Sequence, residues 1–206
     1  MITIYGRANS INVRKVLWLC EDIDVKFERL DYGRGFKDAN SPELLALNPH
    51  AMVPVVVDGK TAIWESNTCL RYLNGKYGTE DIYPKDVTAR AQVDQWMDWQ
   101  LGHFQPAITP IFFARHLKNP DVTPEAVKAA IERTGKMMKI LSDQIDGAGG
   151  HIAGPKITLA DYAIGPGVHR WYTLVPETAK MPPLEAYYKR LSERPGYKKF
   201  VLIGAP

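Results

Sequence analysis

The order of the secondary-structure elements predicted for the first 78 residues constrains the fold of this chain most strongly. A β-branched and aromatic run at 2–5 predicts a buried strand, and the apolar residues at helical spacing that follow it predict a helix. The run at 25–30 predicts a second strand. Because a helix lies between the two strands, we expect them to be parallel.

The rest of this region predicts a short helix, a hairpin and a longer helix. Ser41 followed by Pro42 indicates the start of the short helix, since serine is a good N-cap and proline suits the first helical position. Two apolar runs within 53–64 indicate a β-hairpin, and residues 66–77 have helical periodicity. The resulting order, β-α-β-α-β-β-α, predicts an α/β domain over residues 1–78.

The pattern changes after this domain. Residues 79–86 are polar and read as a linker, and no strand-like run stands out in residues 87–206. These residues predict an all-α helical bundle instead. Its helices are expected over 93–104, from Thr123, from Thr158, and over 183–194, where Pro195-Gly196 is expected to end the last one.

Composition excludes several classes of protein. The 26 basic residues are scattered among 23 acidic ones, so the basic stripe of a nucleic-acid-binding protein is absent. Two cysteines are too few for a disulfide framework, and no metal-type cluster is evident. The sequence shows neither a signal peptide nor the roughly 20 apolar residues of a membrane span. We therefore expect a cytoplasmic protein that binds no metal, nucleic acid or membrane.

Val53-Pro54 stands at the mouth of the predicted hairpin, directly before a strand. A proline there belongs at a strand start or a special turn, because it cannot donate to a β-ladder. The simpler alternative is a trans proline in a loop. In this order of elements, a cis proline would turn the backbone of the preceding residue outward, where a peptide ligand can pair with it as an added strand.

Two helix starts carry polar residues that suit anion binding. Glu65-Ser66 opens the last helix of the α/β domain, where the carboxylate can meet an ammonium and the hydroxyl and backbone N–H groups a carboxylate. The turn before the first helix carries Ser10 and Asn12, which can stabilise a thiolate. Helix capping is the alternative role for the serines and for Asn12.

Four segments, taken in this order along the chain, resemble cytosolic glutathione transferases of the bacterial type. They are YGRANSINVRKVLWLCED, LNPHAMVPVVVDG, ESNTCLRYL and ITLADYAIG. The resemblance covers nearly the whole chain and implies a thioredoxin-like α/β N-terminal domain followed by an all-α helical-bundle domain. It also implies that Thr158 and Asp161 form a capping box, with Ile157 packing on Tyr162 as its hydrophobic staple.

The resemblance further implies a set of glutathione-binding residues. The main chain of Val53, with Pro54 in the cis form, would hold the cysteinyl part of glutathione, and Glu65 with Ser66 would hold the γ-glutamyl end. The glycine end would meet a cationic side chain. The residues implied to bind glutathione are Val53, Pro54, Glu65 and Ser66, and the candidates for the glycine end, by charge and position, are Lys37 and His50.

Thiol activation has three candidates in this sequence. Ser10 occupies the position of the activating hydroxyl in the serine-type classes of the family. Asn12 is the alternative that some bacterial relatives use, and Tyr5 is the counterpart of the residue in tyrosine-type classes. The resemblance favours a serine- or asparagine-type active site, with Ser10 as the principal activator and Asn12 as the second choice.

The implied activity is that of a glutathione S-transferase active in detoxification. Glutathione serves as co-substrate without a metal, and its thiolate is conjugated to a small, mostly apolar electrophile in a protein expected to be a homodimer. The acceptor pocket is expected to include His103, Phe104, Phe112 and Arg115, and packing in the core or at a subunit contact is the alternative role for each of them. Glutathione-dependent reduction of disulfides or peroxides is the alternative activity, and a non-catalytic stress or translation-associated module is a further one.

Overall fold

A computed structural model describes residues 1–204, so the last two positions of the predicted helical domain, 205–206, lie outside the described residues. The strands are β1 (Ile2–Tyr5), β2 (Phe27–Leu30), β3 (Val55–Asp58) and β4 (Thr61–Trp64). The α-helices are α1 (Ile11–Asp22), α2 (Pro42–Leu45), α3 (Ser66–Tyr77), α4 (Val87–Trp99), α5 (Gln105–Ile111), α6 (Pro124–Gly147), α7 (Leu159–Leu174), α8 (Pro182–Glu193) and α9 (Pro195–Phe200).

The four strands form one mixed sheet in the order β2-β1-β3-β4. β1 and β2 are parallel, as predicted, and β3 is antiparallel to both β1 and β4. Tyr5 pairs with Val55, which in turn pairs with Trp64. The end of β1, the start of β3 and the end of β4 therefore meet at one end of the sheet.

The two faces of the sheet are covered differently. Ile4 and Val56 point into the main core, which α1 and α3 share with α7. On the opposite face, Val55 packs with Leu44 of α2 and with Tyr32 in a smaller cluster. This arrangement is the thioredoxin-like N-terminal domain expected from the sequence, and the helices from α4 onward form the C-terminal part. The predicted linker, 79–86, falls between α3 and α4.

The helix predicted over 93–104 is not regular to its end. α4 passes into a π-helical segment, Gln100–Phe104, and a second π-helical segment, Phe112–His116, follows α5. Prolines 106 and 110 lie between the two segments, and each removes a backbone donor from the helical ladder. Apolar periodicity does not reveal this change of hydrogen bonding, so the two π segments and α5 were not predicted from the sequence.

Helix ends agree better with the sequence. The Thr123 hydroxyl accepts from the Ala126 amide at 3.2 Å, and Thr158 forms the expected capping box with Asp161. The helix predicted over 183–194 does end before Pro195-Gly196, since α8 ends at Glu193, but the further helix α9, which begins at Pro195, was not predicted. Proline ends one helix and is equally suited to the first position of the next.

Candidate functional site

A cavity of about 320 Å³ opens at the end of the sheet where β1 and β3 meet. Loops of the thioredoxin-like domain form one wall, and α5, the second π segment and α7 form the other. No Asp or Glu is among the described residues that line it. The lining residues are Arg7, Asn9, Ser10, Ile11, Asn12, Gly33, Arg34, Ala39, Ala51, Met52, Val53, Gln105, Thr109, Phe112, Phe113 and Arg170.

Ser10 and Asn12 both line this cavity at the start of α1. Ser10 occupies the N-cap position, but its side chain accepts no capping hydrogen bond. The capping role that was the alternative interpretation is therefore not observed for Ser10. Its hydroxyl is available to a ligand at a helix N-terminus, where the unpaired N–H groups favour an anion.

The turn that presents Ser10 is held by its neighbours. The Arg14 guanidinium donates through Nε to the Ala8 carbonyl at 3.1 Å, and the Ser10 amide donates to the Arg7 carbonyl at 3.1 Å. Gly6 has a φ of 152°, and a Cβ there would lie 2.5 Å from Val13 Cγ2. A glycine therefore lets the chain leave β1 and cross closely over the first turn of α1.

Val53 and Pro54 are joined by a cis peptide bond, as the resemblance implies, and Val53 lines the cavity. The loop before them is fixed by Asn48, which is buried and donates through Nδ2 to the Met52 carbonyl at 2.9 Å. The Asn48 side-chain oxygen accepts from the His50 amide at 3.0 Å. The hydrogen bonds of Asn48 to Met52 and His50 therefore hold the loop in place and fix the position of the Val53 main chain.

Glu65 and Ser66 follow β4 at the same end of the sheet. Glu65 has a φ of 65°, the left-handed region that non-glycine residues seldom occupy, and its carboxylate is exposed. Such backbone geometry costs of the order of 1–3 kcal/mol and is found disproportionately at functional sites. Glu65 is the N-cap of α3, so Ser66 is the first helical residue rather than the cap. Neither residue lines the cavity itself.

Lys15 lies directly behind Ser66 and was missed by the sequence analysis. Its ammonium is buried and donates to Ser66 Oγ at 3.4 Å, Asn67 Oδ1 at 3.4 Å and Gln100 Oε1 at 3.0 Å. Burial, followed by the nearby charge of Arg170, lowers the pKa of Lys15 to about 7. A lysine inside the apolar run of α1 was the available sequence signal.

The two candidates for the glycine end lie outside the cavity lining. The Lys37 ammonium is paired with Glu43 Oε2 at 2.7 Å and lies 4.8 Å from the centre of the Tyr32 ring. The His50 ring is exposed and packs on Trp64, with 5.3 Å between ring centres. A glycine-end role for either residue stays a prediction.

Tyr5 is a poor candidate for thiol activation in this structure. Its ring packs on Tyr32, with 5.3 Å between ring centres, in the cluster on the sheet face opposite α1. Burial is the main cause that raises the pKa of Tyr5, so the phenol is a weaker acid than usual. Tyr5 does not line the cavity, whereas Ser10 and Asn12 do.

The expected acceptor residues separate into different environments. Phe112 lines the cavity, together with Phe113. Phe104 does not: it is only 1% exposed and stacks on Trp99 in the core, so its assignment to the acceptor pocket is wrong. Apolar spacing marks a helix face but does not tell core from pocket.

His103 and Arg115 also lie outside the cavity lining. His103 is exposed on the first π segment. Arg115 donates to the Leu174 carbonyl at 2.5 Å and pairs with Glu177 at 2.6 Å. Lining residues from the helical half that the sequence did not single out are Gln105, Thr109 and Arg170.

The protein's own thiols are remote from this chemistry. Cys20 and Cys69 are both buried in the core, and burial raises the pKa of each to about 12. A nucleophilic thiolate at Ser10 must therefore be brought by a ligand.

Within residues 1–204, no group of three or more His, Cys, Asp or Glu side chains has a metal-binding arrangement. In the same range, no helix has the length and apolarity needed to span a bilayer.

Comparison with known proteins gives consistent matches to both halves of the chain. A family profile described as "Glutathione S-transferase, N-terminal domain" matches residues 1–75. A second profile, described as "Glutathione S-transferase, C-terminal domain", matches residues 104–195.

Individual relatives extend over the whole chain. Glutathione S-transferase GstB of Escherichia coli (strain K12) is 31% identical, over 98% of this chain and 99% of its own. Glutathione S-transferase 3 of Zea mays is 27% identical, over 97% and 93%. The crystal structure of the theta class glutathione S-transferase from Xanthomonas axonopodis pv. citri with glutathione bound aligns with a TM-score of 0.93 at 31% identity, covering 100% of this chain and 99% of that one. The chain therefore belongs to the glutathione S-transferase family.

Proposed function

We propose that this protein binds glutathione at the sheet end marked by Ser10 and Val53 and conjugates its sulfur to a small electrophile. The observation that carries the proposal is the Ser10 side chain, which is free of capping bonds in a cavity that Val53, with its cis peptide bond to Pro54, also lines. The Xanthomonas relative, whose crystal structure has glutathione bound, supports the ligand.

The tripeptide is bound mainly by groups that the fold holds in place. The main chain of Val53 pairs with the cysteinyl backbone in the manner of an added strand. The Glu65 carboxylate meets the ammonium of the γ-glutamyl end, and Ser66 with the N-terminus of α3 meets its carboxylate. Because the Lys15 ammonium donates to Ser66 Oγ, the hydroxyl hydrogen of Ser66 remains free to donate to that carboxylate.

The Ser10 hydroxyl donates a hydrogen bond to the glutathione sulfur and favours its anionic form. A free thiol has a pKa of ~8.5, so only a small share is thiolate at neutral pH. Lowering that pKa by about one to two units requires roughly 1.4–2.7 kcal/mol, which one or two hydrogen bonds to a charged group supply. The thiol proton passes to water, the sulfur forms a bond to the electrophilic carbon, and the leaving group departs with its electron pair.

Substitution of Ser10 tests the proposal. In the Ser10→Ala variant we expect kcat with a model aryl halide to fall roughly 10- to 100-fold, since a hydrogen bond to a charged group is lost. Glutathione affinity should remain within about twofold, because Ser10 contacts only the sulfur. Calorimetric titration with glutathione and steady-state kinetics give the two numbers, and Asn12→Ala, at the second candidate, is measured in the same way.

Two results would contradict parts of this proposal. Failure of immobilised glutathione to retain the wild-type protein would overturn the binding site itself. A neutral Ser10→Ala beside a severely impaired Asn12→Ala would move activation to Asn12. Assaying a mixed glutathione disulfide in parallel separates conjugation from the reductase activity, which uses the same thiolate.

We further propose that the protein acts as a cytoplasmic homodimer. Large apolar side chains that are exposed in the single chain support a second subunit, among them Met52 at 63%, Val87 at 79% and Leu101 at 53% exposure. The mass of the protein in solution tests this proposal. Light scattering coupled to gel filtration provides that measurement, and a monomeric mass would overturn the dimer.

A further inference from the structure

The cavity is lined by cations without a compensating acid. Arg7, Arg34 and Arg170 contribute to its wall, and its described lining contains no Asp or Glu. Burial and the nearby charge of Arg34 lower the pKa of Arg7. After burial, the charge of Arg170 is the next cause that lowers the pKa of His116, whose ring stacks on Phe112. Mutual repulsion among these groups indicates a strongly positive cavity.

Arg170 is the most unusual of these residues because it is buried and has no polar partner among the described residues. It lies on α7 and is only 4% exposed. Its Nε is buried and makes no hydrogen bond within the described part of the chain, and no described carboxylate forms an ion pair with it. Its guanidinium carbon lies 4.1 Å from the centre of the Phe112 ring. Burial, then Arg14 and Arg7, lowers the pKa of Arg170 to about 9.

Other sheltered arginines in this protein have partners. Arg14 donates to the carbonyls of Val201 at 3.1 Å and Ile203 at 2.6 Å. Arg194 pairs with Asp22 Oδ2 at 2.8 Å. A buried guanidinium that lacks such partners has a large desolvation cost, which the ring of Phe112 offsets only in part. An anion in the cavity would offset it much further, through charge-assisted hydrogen bonds.

The position of Arg170 assigns that anion to the acceptor rather than to glutathione. The proposed glutathione contacts come from Val53, Glu65 and Ser66 at the end of the sheet. Arg170 comes from the opposite wall, on a C-terminal helix, where it packs against Phe112. It is therefore placed to meet the second substrate beside the sulfur that Ser10 activates.

We propose that Arg170 binds an anionic group on the acceptor, so that the preferred electrophiles are small molecules bearing a carboxylate or a similar compact anion. This inference rests on the proposed function, because it describes the second substrate of the same reaction. The glutathione thiolate attacks the carbon that carries the leaving group. A carbon–sulfur bond forms, the bond to the leaving group breaks, and the leaving group departs with the electron pair while Arg170 holds the anion.

Iodoacetate and iodoacetamide provide a matched test, since they share a reacting carbon and a leaving group and differ in charge. For each, kcat/KM is divided by the rate constant of the uncatalysed reaction with glutathione, which removes the difference in intrinsic reactivity. We expect this quotient to be about tenfold or more higher for iodoacetate, because a charge-assisted hydrogen bond contributes at least that factor.

Variants of Arg170 locate the effect. Arg170→Met should lower the quotient for iodoacetate roughly 10- to 100-fold and leave that for iodoacetamide within about threefold. Arg170→Lys should restore part of the iodoacetate rate, since it keeps the charge but not the planar fork. Arg90→Met is the control, because Arg90 also stacks on an aromatic ring, Tyr83, but lies outside the cavity lining.

A second measurement stands apart from catalysis and from the folding of variants. Wild-type protein saturated with S-methylglutathione should bind acetate, an unreactive carboxylate, with saturable heat in calorimetry, and acetamide should give none. Equal quotients for the two iodo compounds, or no saturable acetate binding, would overturn the anion site while leaving conjugation of iodoacetamide intact. No turnover of either compound, or no retention on immobilised glutathione, would overturn the proposed function and this inference together.

Discussion

At the scale of single residues, Lys15 shows how a buried charge joins the two halves of the molecule. Its ammonium is held by oxygen atoms of Ser66 and Asn67 on α3 and of Gln100 on the first π segment. These are neutral acceptors, so they satisfy the N–H groups without supplying a countercharge. The pKa of about 7 reflects that balance, because burial penalises the charged form more than the hydrogen bonds favour it.

The stability of the protein should therefore depend on pH through Lys15. The unfolded lysine has a pKa of 10.5 and the folded one of about 7, so between these values the unfolded state binds more protons. The free energy of unfolding then rises with pH across this window, by at most about 1.4 kcal/mol per pH unit. Urea titrations of wild type and Lys15→Met between pH 7 and about pH 9.5 measure the difference in slope.

The contribution of Lys15 is the difference between the two proteins, since other groups titrate in the same range. The exposed Lys139, which pairs with Asp143, gives the control Lys139→Met, and this variant should keep the wild-type slope. If the free energy of unfolding changes with pH in the same way for wild type and Lys15→Met, the low pKa of Lys15 is contradicted.

At the scale of elements, α7 is shaped to accept the aromatic side chain of the first π segment. A Cβ at Gly167 would lie 2.3 Å from Phe104 Cε1. Phe104 cannot retreat, because it is buried and stacks on Trp99 with 5.7 Å between ring centres. The close contact of α7 with the π segment thus depends on a glycine, and it explains why Phe104 belongs to the core instead of the cavity.

A methyl group at Gly167 should destabilise the protein. We expect Gly167→Ala to lower the free energy of unfolding by about 1–3 kcal/mol through overpacking, although alanine favours a helix by ~1 kcal/mol over glycine. Gly102→Ala is the control, since a Cβ there meets no atom within 4 Å. Urea unfolding followed by circular dichroism compares the two, and equal stability of both variants would refute the packing argument.

At the scale of the whole molecule, Asp22 at the end of α1 ties the thioredoxin-like half to the helical half. Its Oδ2 accepts from Trp18 Nε1 at 3.0 Å, from the Tyr162 hydroxyl at 2.8 Å and from Arg194 Nη2 at 2.8 Å. Tyr162 lies on α7 and Arg194 joins α8 to α9. One carboxylate therefore connects α1 to three helices of the C-terminal part.

Removal of this carboxylate should weaken the molecule as a unit. In Asp22→Ala the Tyr162 hydroxyl and the Arg194 guanidinium lose their shared acceptor, and we expect a loss of roughly 2–4 kcal/mol in the free energy of unfolding. Asp143→Ala, at an exposed pair with Lys139, should cost about 0.5 kcal/mol or less. Tryptophan fluorescence during urea unfolding measures the stability of both variants. If Asp22→Ala loses no more free energy of unfolding than Asp143→Ala, the proposed role of Asp22 in joining the two halves is refuted.

The sequence by itself determined the features that arise from local physics. Strand β1 and the helix starts at Ser41, Thr123 and Thr158 were predicted, because propensity and capping act within a few residues. Ser10 was singled out for the same reason, as a hydroxyl at a helix start. The cis form of Val53-Pro54 was implied by the family resemblance, with a trans proline in a loop as the alternative.

Tertiary structure decided what depends on residues distant in sequence. Lys15 meets Gln100 only after the two halves pack together, and Arg170 meets Phe112 only after α7 packs against the second π segment. A charged residue within an apolar helical run is visible in the sequence, but its neighbours across the interface are not. Phe104 was misassigned for the same reason, since the periodicity that places a ring on a helix face carries no information about what lies opposite.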